Sequence, residues 1–223
     1  MQQVPYRAER QYLQKEQAFS IEFCQNNPRA MIANKTSYSD RLRGSKAPSY
    51  LSIMTLRKAR ADELPVIWNI LQQAIAQRKQ DGSKQWQNGY PNEQTVRDDM
   101  DNDCAYVLEE AGNIIAYAAI IFGIEAAYND IEGRWLTDND YVVVHRVATA
   151  EAVKGRGVAT SLFRMIEDLC RTRDVYSIKV DTNFDNMPML KILDRLGYSY
   201  CGEVFYEGAP RQAFEKVLSE KRG

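Results

Sequence analysis

The chain contains a single histidine, His145, and few cysteines. The cysteines are widely separated and include no Cys-x-x-Cys pair: Cys24, Cys104, Cys170 and Cys201. Zinc sites with the usual ligand spacings are therefore excluded, and nothing in the spacing indicates a disulfide framework. The N-terminal residues also lack the apolar core of a signal peptide. We expect a cytoplasmic protein that uses no metal.

Long apolar runs and a strong net charge are missing as well. No stretch approaches the ~18 apolar residues that a membrane span requires, and the formal net charge is −1 over 223 residues. We therefore expect neither a membrane nor a nucleic acid as partner. Lys and Arg outnumber Asp and Glu by 8 to 4 in residues 1–53, against 21 to 26 in the remainder. The acidic remainder favours a cationic substrate.

Residues 1–53 are rich in Gln, Asn, Ser, Arg and Lys and contain too little apolar surface for a packed core. We expect a largely disordered N-terminal extension here. One domain follows over residues 54–223, and Met54 opens its first strand. The extension is either a basic docking arm or a segment without function, and tails of this kind usually only solvate.

The spacing of apolar residues after Met54 predicts an α/β domain. Helices are predicted over residues 62–80, with Asp62 as the N-terminal cap, and over 92–101, 158–172 and 187–196. After the first strand, further strands are predicted at residues 105–109, 114–122, 141–149, 177–181, 198–205 and 212–218. Because a helix connects strands 141–149 and 177–181, these two should form a parallel pair inside a mixed sheet.

Residues 154–159 (Lys-Gly-Arg-Gly-Val-Ala) place two glycines and two cations where strand 141–149 gives way to a helix. Gly155 and Gly157 have no Cβ, so the backbone can approach a bulky ligand closely. Backbone N–H groups, the positive end of the helix and Arg156 would attract one anion. A pyrophosphate is the expected occupant, and an ordinary glycine-rich turn before a helix is the alternative.

A dinucleotide site is the main competing interpretation, because the glycines partly match Gly-x-Gly-x-x-Gly and Asp181 ends the following strand. Thr160, however, stands where close helix packing requires glycine. In addition, about six residues separate the strand from Gly155, whereas the dinucleotide motif begins almost at once. A nucleoside-triphosphate loop is excluded because no Gly-Lys-Ser/Thr follows.

Residues 154–159 resemble the R/Q-x-x-G-x-G/A signature of the GNAT family of acyl-CoA-dependent N-acetyltransferases. A second block, with Asn183, Asn186, a short helix and Gly197, is similar to the family's N-x-x-A-x-x-L-Y-x-x-x-G-F pattern. The resemblance extends in element order over residues 54–218. It implies a GNAT-type α/β fold with a mixed, largely antiparallel sheet of about seven strands, a splayed central parallel pair and about four flanking helices.

The resemblance also implies acetyl-CoA as co-substrate. Backbone groups near Val147 and Thr149 would pair with the pantetheine arm, and N–H groups over residues 155–159 would hold the pyrophosphate. Asn183 and Asn186 would face the arm from the other side, with helix capping as the alternative role for Asn186. The cofactor-binding residues predicted in this way are Val147, Thr149, Lys154, Gly155, Arg156, Gly157, Val158, Ala159, Asn183 and Asn186.

The chain departs from the family at Leu193, which occupies the place of a tyrosine that commonly protonates the thiolate of CoA. Tyr198 and Tyr200 lie nearby in sequence and are the candidate catalytic replacements, as is Tyr206. Aromatic residues in terminal strands more often belong to the core or its rim. A thiolate can also leave unaided, because thiol pKa values lie at about 8.5.

His145 is the candidate general base, because imidazole accepts protons near neutral pH. Strand alternation predicts that His145 shares a face with Val143 and Val147, and that Arg146 lies on the other face. Asp181, at the end of the neighbouring strand, would orient the imidazole or bind a cationic substrate. A hydrogen-bonded histidine with a structural role is the alternative.

Trp86 and Tyr90, in the loop after the first helix, are the predicted walls of the acceptor pocket, with simple packing as the alternative. Arg211 and Glu207 are expected only to solvate the last turn. The whole pattern predicts an N-acetyltransferase that moves the acetyl group of acetyl-CoA to a primary amine of a small molecule or amino acid, by direct attack in a ternary complex. The alternatives are an acyl-CoA-binding sensor without turnover, favoured by Leu193, and an acetyltransferase of protein amines. Residues 201–218 would form the seam of a homodimer.

Overall fold

The computed structural model describes residues 54–219, so the extension predicted at 1–53 lies outside the described residues. Its helices are α1 (Leu64–Gln80), α2 (Glu93–Asp101), α3 (Val158–Thr172) and α4 (Met187–Leu196). Its strands are β1 (Met54–Lys58), β2 (Ala105–Glu110), β3 (Asn113–Phe122), β4 (Glu132–Gly133), β5 (Val142–Thr149), β6 (Ser177–Thr182), β7 (Ser199–Tyr206) and β8 (Ala209–Val217). Across this part of the chain, none of the helices has the length and apolar character needed to cross a bilayer.

The eight strands form one sheet in the order β1-β2-β3-β5-β6-β8-β7-β4. Neighbouring strands are antiparallel except for β5 and β6, which are parallel. The predicted mixed sheet with a central parallel pair and four helices is confirmed. The strand that the sequence did not predict, β4, covers only two residues, which is too short to produce an alternating pattern.

The parallel pair is joined only at its beginning. Val142 lies opposite Ile178 and Val143 lies opposite Lys179, and the pairing ends there although β5 continues to Thr149. The two strands therefore diverge in the middle of the sheet, as the predicted splay requires. The divergence leaves room for a ligand between β5 and β6.

Both faces of the sheet are covered. The amphipathic helix α3 buries Leu162, Phe163 and Ile166 completely against one face, together with α4. On the other face, α1 buries Ile67 and Leu71 completely. Full burial of one such side chain contributes roughly 1.5–3 kcal/mol, so this packing fixes the helices that border the divergence.

Strand β5 contains a bulge that changes which side chains share a face. Tyr117 and Ala119 of β3 are two residues apart, whereas the residues opposite them on β5, Ala148 and His145, are three residues apart. The extra residue is accommodated at Arg146, whose φ of +54° lies in the left-handed region. Regular alternation therefore fails here.

The bulge makes the predicted faces of Arg146 and Val147 wrong, whereas His145 shares a face with Val143 as predicted. Val147 packs in the core beneath α3, whereas His145 lies against Tyr128 on the opposite side of the sheet. Arg146 binds Asp99, which also accepts a hydrogen bond from Tyr117 on that side. His145 and Arg146 consequently share a face, and Val147 lies on the other.

The start of α1 also differs from the prediction. A 3-10 turn at Ala61–Glu63 precedes the helix, and Asp62 is exposed rather than capping it. The carboxylate of Glu63 instead accepts the backbone N–H of Arg60 at 2.8 Å and two side-chain bonds from Arg57 at 2.9 and 2.7 Å. The hydrogen bonds from Arg57 lower the pKa of Glu63 below its ordinary 4.5, and they outweigh burial, which raises it.

Because of this lowered pKa, the free energy of unfolding depends on pH in the acid range. A carboxyl with a depressed folded-state pKa contributes stability above its ordinary value and loses it as the pH falls through the lowered value. We expect Glu63→Gln to reduce the free energy of unfolding by roughly 2 kcal/mol at pH 7, and the deficit to shrink below about pH 4. Urea denaturation of the wild type and the variant across pH 3–7 measures this difference in the free energy of unfolding. Asp62→Asn is the exposed control, and an equal deficit at all pH values would contradict the prediction.

Candidate active site

The turn between β5 and α3 has the conformation that its glycines permit. Gly155 and Gly157 have φ values of +80° and +76°, and a Cβ at either position would meet open space. The hydrogen-bond ladder of α3 begins with the N–H of Ser161, which donates to the carbonyl of Gly157 at 3.0 Å. The preceding N–H groups, from Gly157 to Thr160, thus lie at the positive end of the helix and ahead of its first bonded turn. This arrangement suits an anion.

A cleft of about 560 Å³ runs from this turn to the divergence of β5 and β6. It is large enough for a cofactor. The C-terminal half of α1, the end of β5, the glycine turn and the first turns of α3 and α4 form its walls. The predicted cofactor-binding residues that line it are Val147, Thr149, Lys154, Gly155, Gly157, Val158, Ala159 and Asn186.

Two predicted cofactor-binding side chains lie elsewhere. The Arg156 guanidinium is paired with the Glu110 carboxylate at 2.8 and 2.9 Å, so its charge is directed to the end of β2 rather than into the cleft. Asn183 lines no cleft wall, and its carbonyl accepts the N–H of Asn186 in a turn. These two side chains therefore do not line the cleft in this structure, and their role in cofactor binding stays a prediction.

Asn186 has the predicted capping role, and it also lines the cleft. Its side-chain oxygen accepts the N–H of Met189 at 3.3 Å and so caps α4. Its amide nitrogen donates to Gln85 at 3.2 Å across the cleft that it lines. Capping therefore fixes the orientation in which the amide faces the cleft.

Helix α1 holds the two sides of the cleft together, which the sequence pattern did not predict. Gln73 accepts the backbone N–H of Glu151 at 2.9 Å, next to the glycine turn. Arg78, which is buried, donates to Asp185 at 2.7 Å just before α4. Both residues belong to the wall of the cleft, so α1 forms a bridge over it.

A second, smaller pocket of about 50 Å³ adjoins the cleft. Gln85, Trp86, Val147, Asn186 and Met189 line both spaces, so the pocket continues the cleft at the diverging strands. Tyr90, His145, Arg146, Asp181 and Arg211 belong to the small pocket alone. The predicted acceptor walls Trp86 and Tyr90 and the predicted catalytic pair are therefore brought together.

His145 lies between two carboxylates. Its Nε2 is 3.1 Å from Glu125 and its Nδ1 is 3.5 Å from Asp181. The hydrogen bond from His145 lowers the pKa of Glu125, against the opposing effect of burial. In the described part of the chain, His, Cys, Asp and Glu side chains form no group suited to hold a metal ion.

Asp181 is almost completely buried and collects three further partners. The Tyr128 hydroxyl donates to it at 2.8 Å, the Tyr206 hydroxyl at 3.3 Å and Arg211 at 3.1 Å. Burial raises the pKa of both tyrosines, so both hydroxyls remain protonated donors. Arg211, which was expected only to solvate a turn, is part of this network and stacks on Tyr206 at 4.3 Å.

Of the three tyrosines considered as general acids, Tyr206 contacts Asp181, whereas Tyr198 and Tyr200 lie outside the site. Tyr198 is 6% exposed and packs edge-on against Phe163 in the core beneath α3. Burial raises its pKa well above the ordinary value, which makes it a poor acid. Tyr200 is 55% exposed and packs against Phe214. Leu193 is completely buried in the core, so the prediction of a replacement at Tyr198 or Tyr200 is corrected.

The comparisons with known proteins agree with this geometry. The sequence model of the acetyltransferase (GNAT) family matches residues 68–198. A GNAT-family acetyltransferase from Streptococcus agalactiae is 37% identical, with a TM-score of 0.69 over 75% of this chain and 96% of that one. No curated protein matches the chain with significant similarity.

More distant structures share the fold. A Staphylococcus aureus protein described as an acetyltransferase is 25% identical, with a TM-score of 0.57 over 74% of this chain and 99% of that one. The Salmonella typhimurium protein yncA, solved with acetyl-CoA as its cofactor, is 16% identical, with a TM-score of 0.55 over 77% of this chain and 98% of that one. Since the family model covers more than half of the sequence, the chain belongs to the GNAT family of acetyltransferases.

Proposed function

We propose that the protein is an acetyl-CoA-dependent N-acetyltransferase that acts on a primary amine of a small molecule or amino acid, by direct attack in a ternary complex. One observation carries the proposal. The large cleft continues into a small pocket at the diverging strands, and His145 and Asp181 lie in that pocket. A thioester in the cleft and an amine in the pocket would therefore meet between β5 and β6.

The walls of the cleft fit acetyl-CoA, which supplies an activated acetyl group as its thioester. The N–H groups from Gly157 to Thr160 hold the diphosphate, and the Lys154 ammonium lies in the same wall. Backbone groups of β5 beyond Val143, which are not paired with β6, bind the pantetheine arm as a neighbouring strand would. The acetyl-CoA bound to yncA, a protein of the same fold, supports this assignment.

The small pocket provides the acid–base chemistry. An incoming ammonium group is attracted by Asp181, and His145 takes up the proton that the amine must lose before or during attack. The Nε2–H of the neutral imidazole donates to Glu125 at 3.1 Å, which leaves the lone pair on Nδ1, 3.5 Å from Asp181, to accept that proton. The departing thiolate needs no tyrosine, because an ordinary thiol has a pKa of about 8.5.

An acyl-CoA sensor without turnover is the second candidate. It is favoured by the apolar, buried Leu193, which stands where the family commonly has its acidic tyrosine. The two candidates share the cofactor site and differ in whether the amine reacts.

Two measurements test the proposed function. Calorimetric titration with acetyl-CoA should give saturable binding, and a panel of primary amines should then release free thiol in proportion to the amine consumed. Binding without thiol release would establish the sensor. Acetylation of peptide lysines or chain termini in preference to small amines would establish a protein acetyltransferase, and absence of binding would remove both CoA-dependent functions.

A further inference from the structure

The small pocket contains two arginines beside its acid–base pair. Arg146 and Arg211 line the same space as His145 and Asp181. A site for a simple cation would be expected to expose carboxylates alone, since like charges repel. Each guanidinium group is ion-paired, Arg146 with Asp99 and Arg211 with Asp181, and its remaining N–H groups can donate to an anionic part of the acceptor.

Arg146 is held rigidly in this wall. It is the residue with φ +54° at the β5 bulge, which turns it to the same face as His145. Asp99 binds it at two points, Nε at 2.8 Å and Nη2 at 2.5 Å, and the Tyr90 hydroxyl accepts from Nη1 at 2.6 Å. A strained backbone at a pocket wall commonly marks a functional constraint.

The guanidinium of Arg146 retains donors for a ligand. An arginine has five N–H groups, and its contacts with described residues engage three of them. A planar guanidinium fixed by a carboxylate on one edge presents its remaining edge in a defined direction. That geometry suits a carboxylate or a similar planar anion.

Arg211 supplies a second cation with more freedom. A single Nη1 bond of 3.1 Å ties it to Asp181, and its guanidinium stacks on Tyr206. Its side chain is 23% exposed. It can therefore contact an anion while Asp181 keeps its bonds from Tyr128 and Tyr206.

The size of the pocket limits how far apart the two charges of the acceptor can be. Its volume is about 50 Å³, and since one water-sized probe occupies roughly 10–15 Å³, it holds roughly four non-hydrogen atoms. An amine, one carbon and a carboxylate make five non-hydrogen atoms, which is close to that size. A peptide chain terminus has no carboxylate next to its amine, and a lysine side chain carries none at all.

We propose that the acceptor is an α-amino acid, whose carboxylate binds the guanidinium groups of Arg146 and Arg211 while its amine lies beside His145; this assignment rests on the function proposed above. Trp86 and Met189 line both the pocket and the cleft, so they lie where the amine of the acceptor would meet the thioester.

Matched acceptors test the assignment directly. The twenty standard amino acids and their α-amides are compared as acceptors in the thiol-release assay at equal concentration and pH 7.5. The amides are less basic and thus more often in the reactive neutral form, so chemistry alone favours them. We expect the best amino acid to exceed its own amide in kcat/KM by at least about thirtyfold. Equal or better use of the amides overturns the assignment, whereas absence of thiol release from every amine contradicts the proposed function instead.

A variant tests whether Arg211 binds the carboxylate of the acceptor. Arg211→Gln should lower kcat/KM for the amino acid about tenfold more than for its amide. Arg164→Gln, on the exposed face of α3, is the matched control and should change neither. An equal loss for acid and amide would mean that Arg211 acts through Asp181 rather than on the carboxylate, and would overturn its assigned role. The comparison of wild-type acid with amide decides the substrate class even if the variant is unstable.

Discussion

Gly157→Asp is expected to weaken acetyl-CoA binding by about a hundredfold or more. The residue precedes α3, where unbonded N–H groups form the anion site. A carboxylate introduced there would lie roughly 5 Å from a bound diphosphate, and two like charges at that distance repel by about 3 kcal/mol at an effective dielectric of about 20. Calorimetric titration with acetyl-CoA measures the dissociation constant.

The substitution also strains the backbone, so a control with the same strain is needed. Gly208, in the turn between β7 and β8, has a φ of +78°, against +76° for Gly157, and a Cβ at either position meets open space. Gly208 lines neither pocket. Both Asp variants should lose about 1 kcal/mol of stability, but only Gly157→Asp should lose affinity. Similar affinities for the two variants would contradict the assignment of the turn.

The glycine turn was predictable because its conformation is a local property of the chain. Gly155 and Gly157 reach positive φ without a steric penalty, and the apolar stripe that follows them spans a complete helix, α3. The positions of the helices and of the parallel pair follow from patterns of the same local kind. For this reason the α/β class, the four helices and the parallel pair could be inferred from sequence patterns, whereas the cleft between the splayed strands was implied by the family resemblance.

The faces of β5 could not be predicted, because the bulge depends on contacts distant in sequence. Arg146 adopts a φ of +54°, a conformation that is unfavourable for residues with a Cβ. The conformation is compensated by Asp99, 47 residues away in the chain, and by the hydrogen bond from Arg146 to Tyr90, 56 residues away. Alternation of apolar residues carries no information about such partners.

Asp181 was predicted as a partner of His145, but Glu125 and Arg211 were missed for a similar reason. Glu125 lies in a loop without periodicity, 20 residues from His145, and Arg211 lies 30 residues from Asp181. Each is an ordinary charged residue in the sequence, and only the folded sheet brings them to one pocket. Tyr198 illustrates the reverse error, since a correct position near the motif did not reveal that its ring points into the core.

His145→Gln is expected to lower kcat by roughly a hundredfold at saturating acetyl-CoA and amine, because general base catalysis commonly contributes at least that factor. Glutamine retains a hydrogen-bonding side chain between Glu125 and Asp181 but cannot take up the proton of the amine. The dissociation constant of acetyl-CoA should stay within about twofold, since His145 lines the small pocket and not the cleft.

Glu125→Gln separates proton transfer from positioning. It removes the charge that faces Nε2 of His145 at 3.1 Å but leaves the imidazole in place. If the imidazole is the base, this variant should lose about tenfold or less in kcat, and its pH profile should shift while keeping its shape. In His145→Gln, the limb of the pH profile that reports protonation of the general base should disappear. A His145→Gln enzyme with wild-type kcat and an unchanged profile would establish the structural alternative, because a histidine that only bridges two carboxylates can be replaced by another hydrogen-bonding side chain without affecting proton transfer.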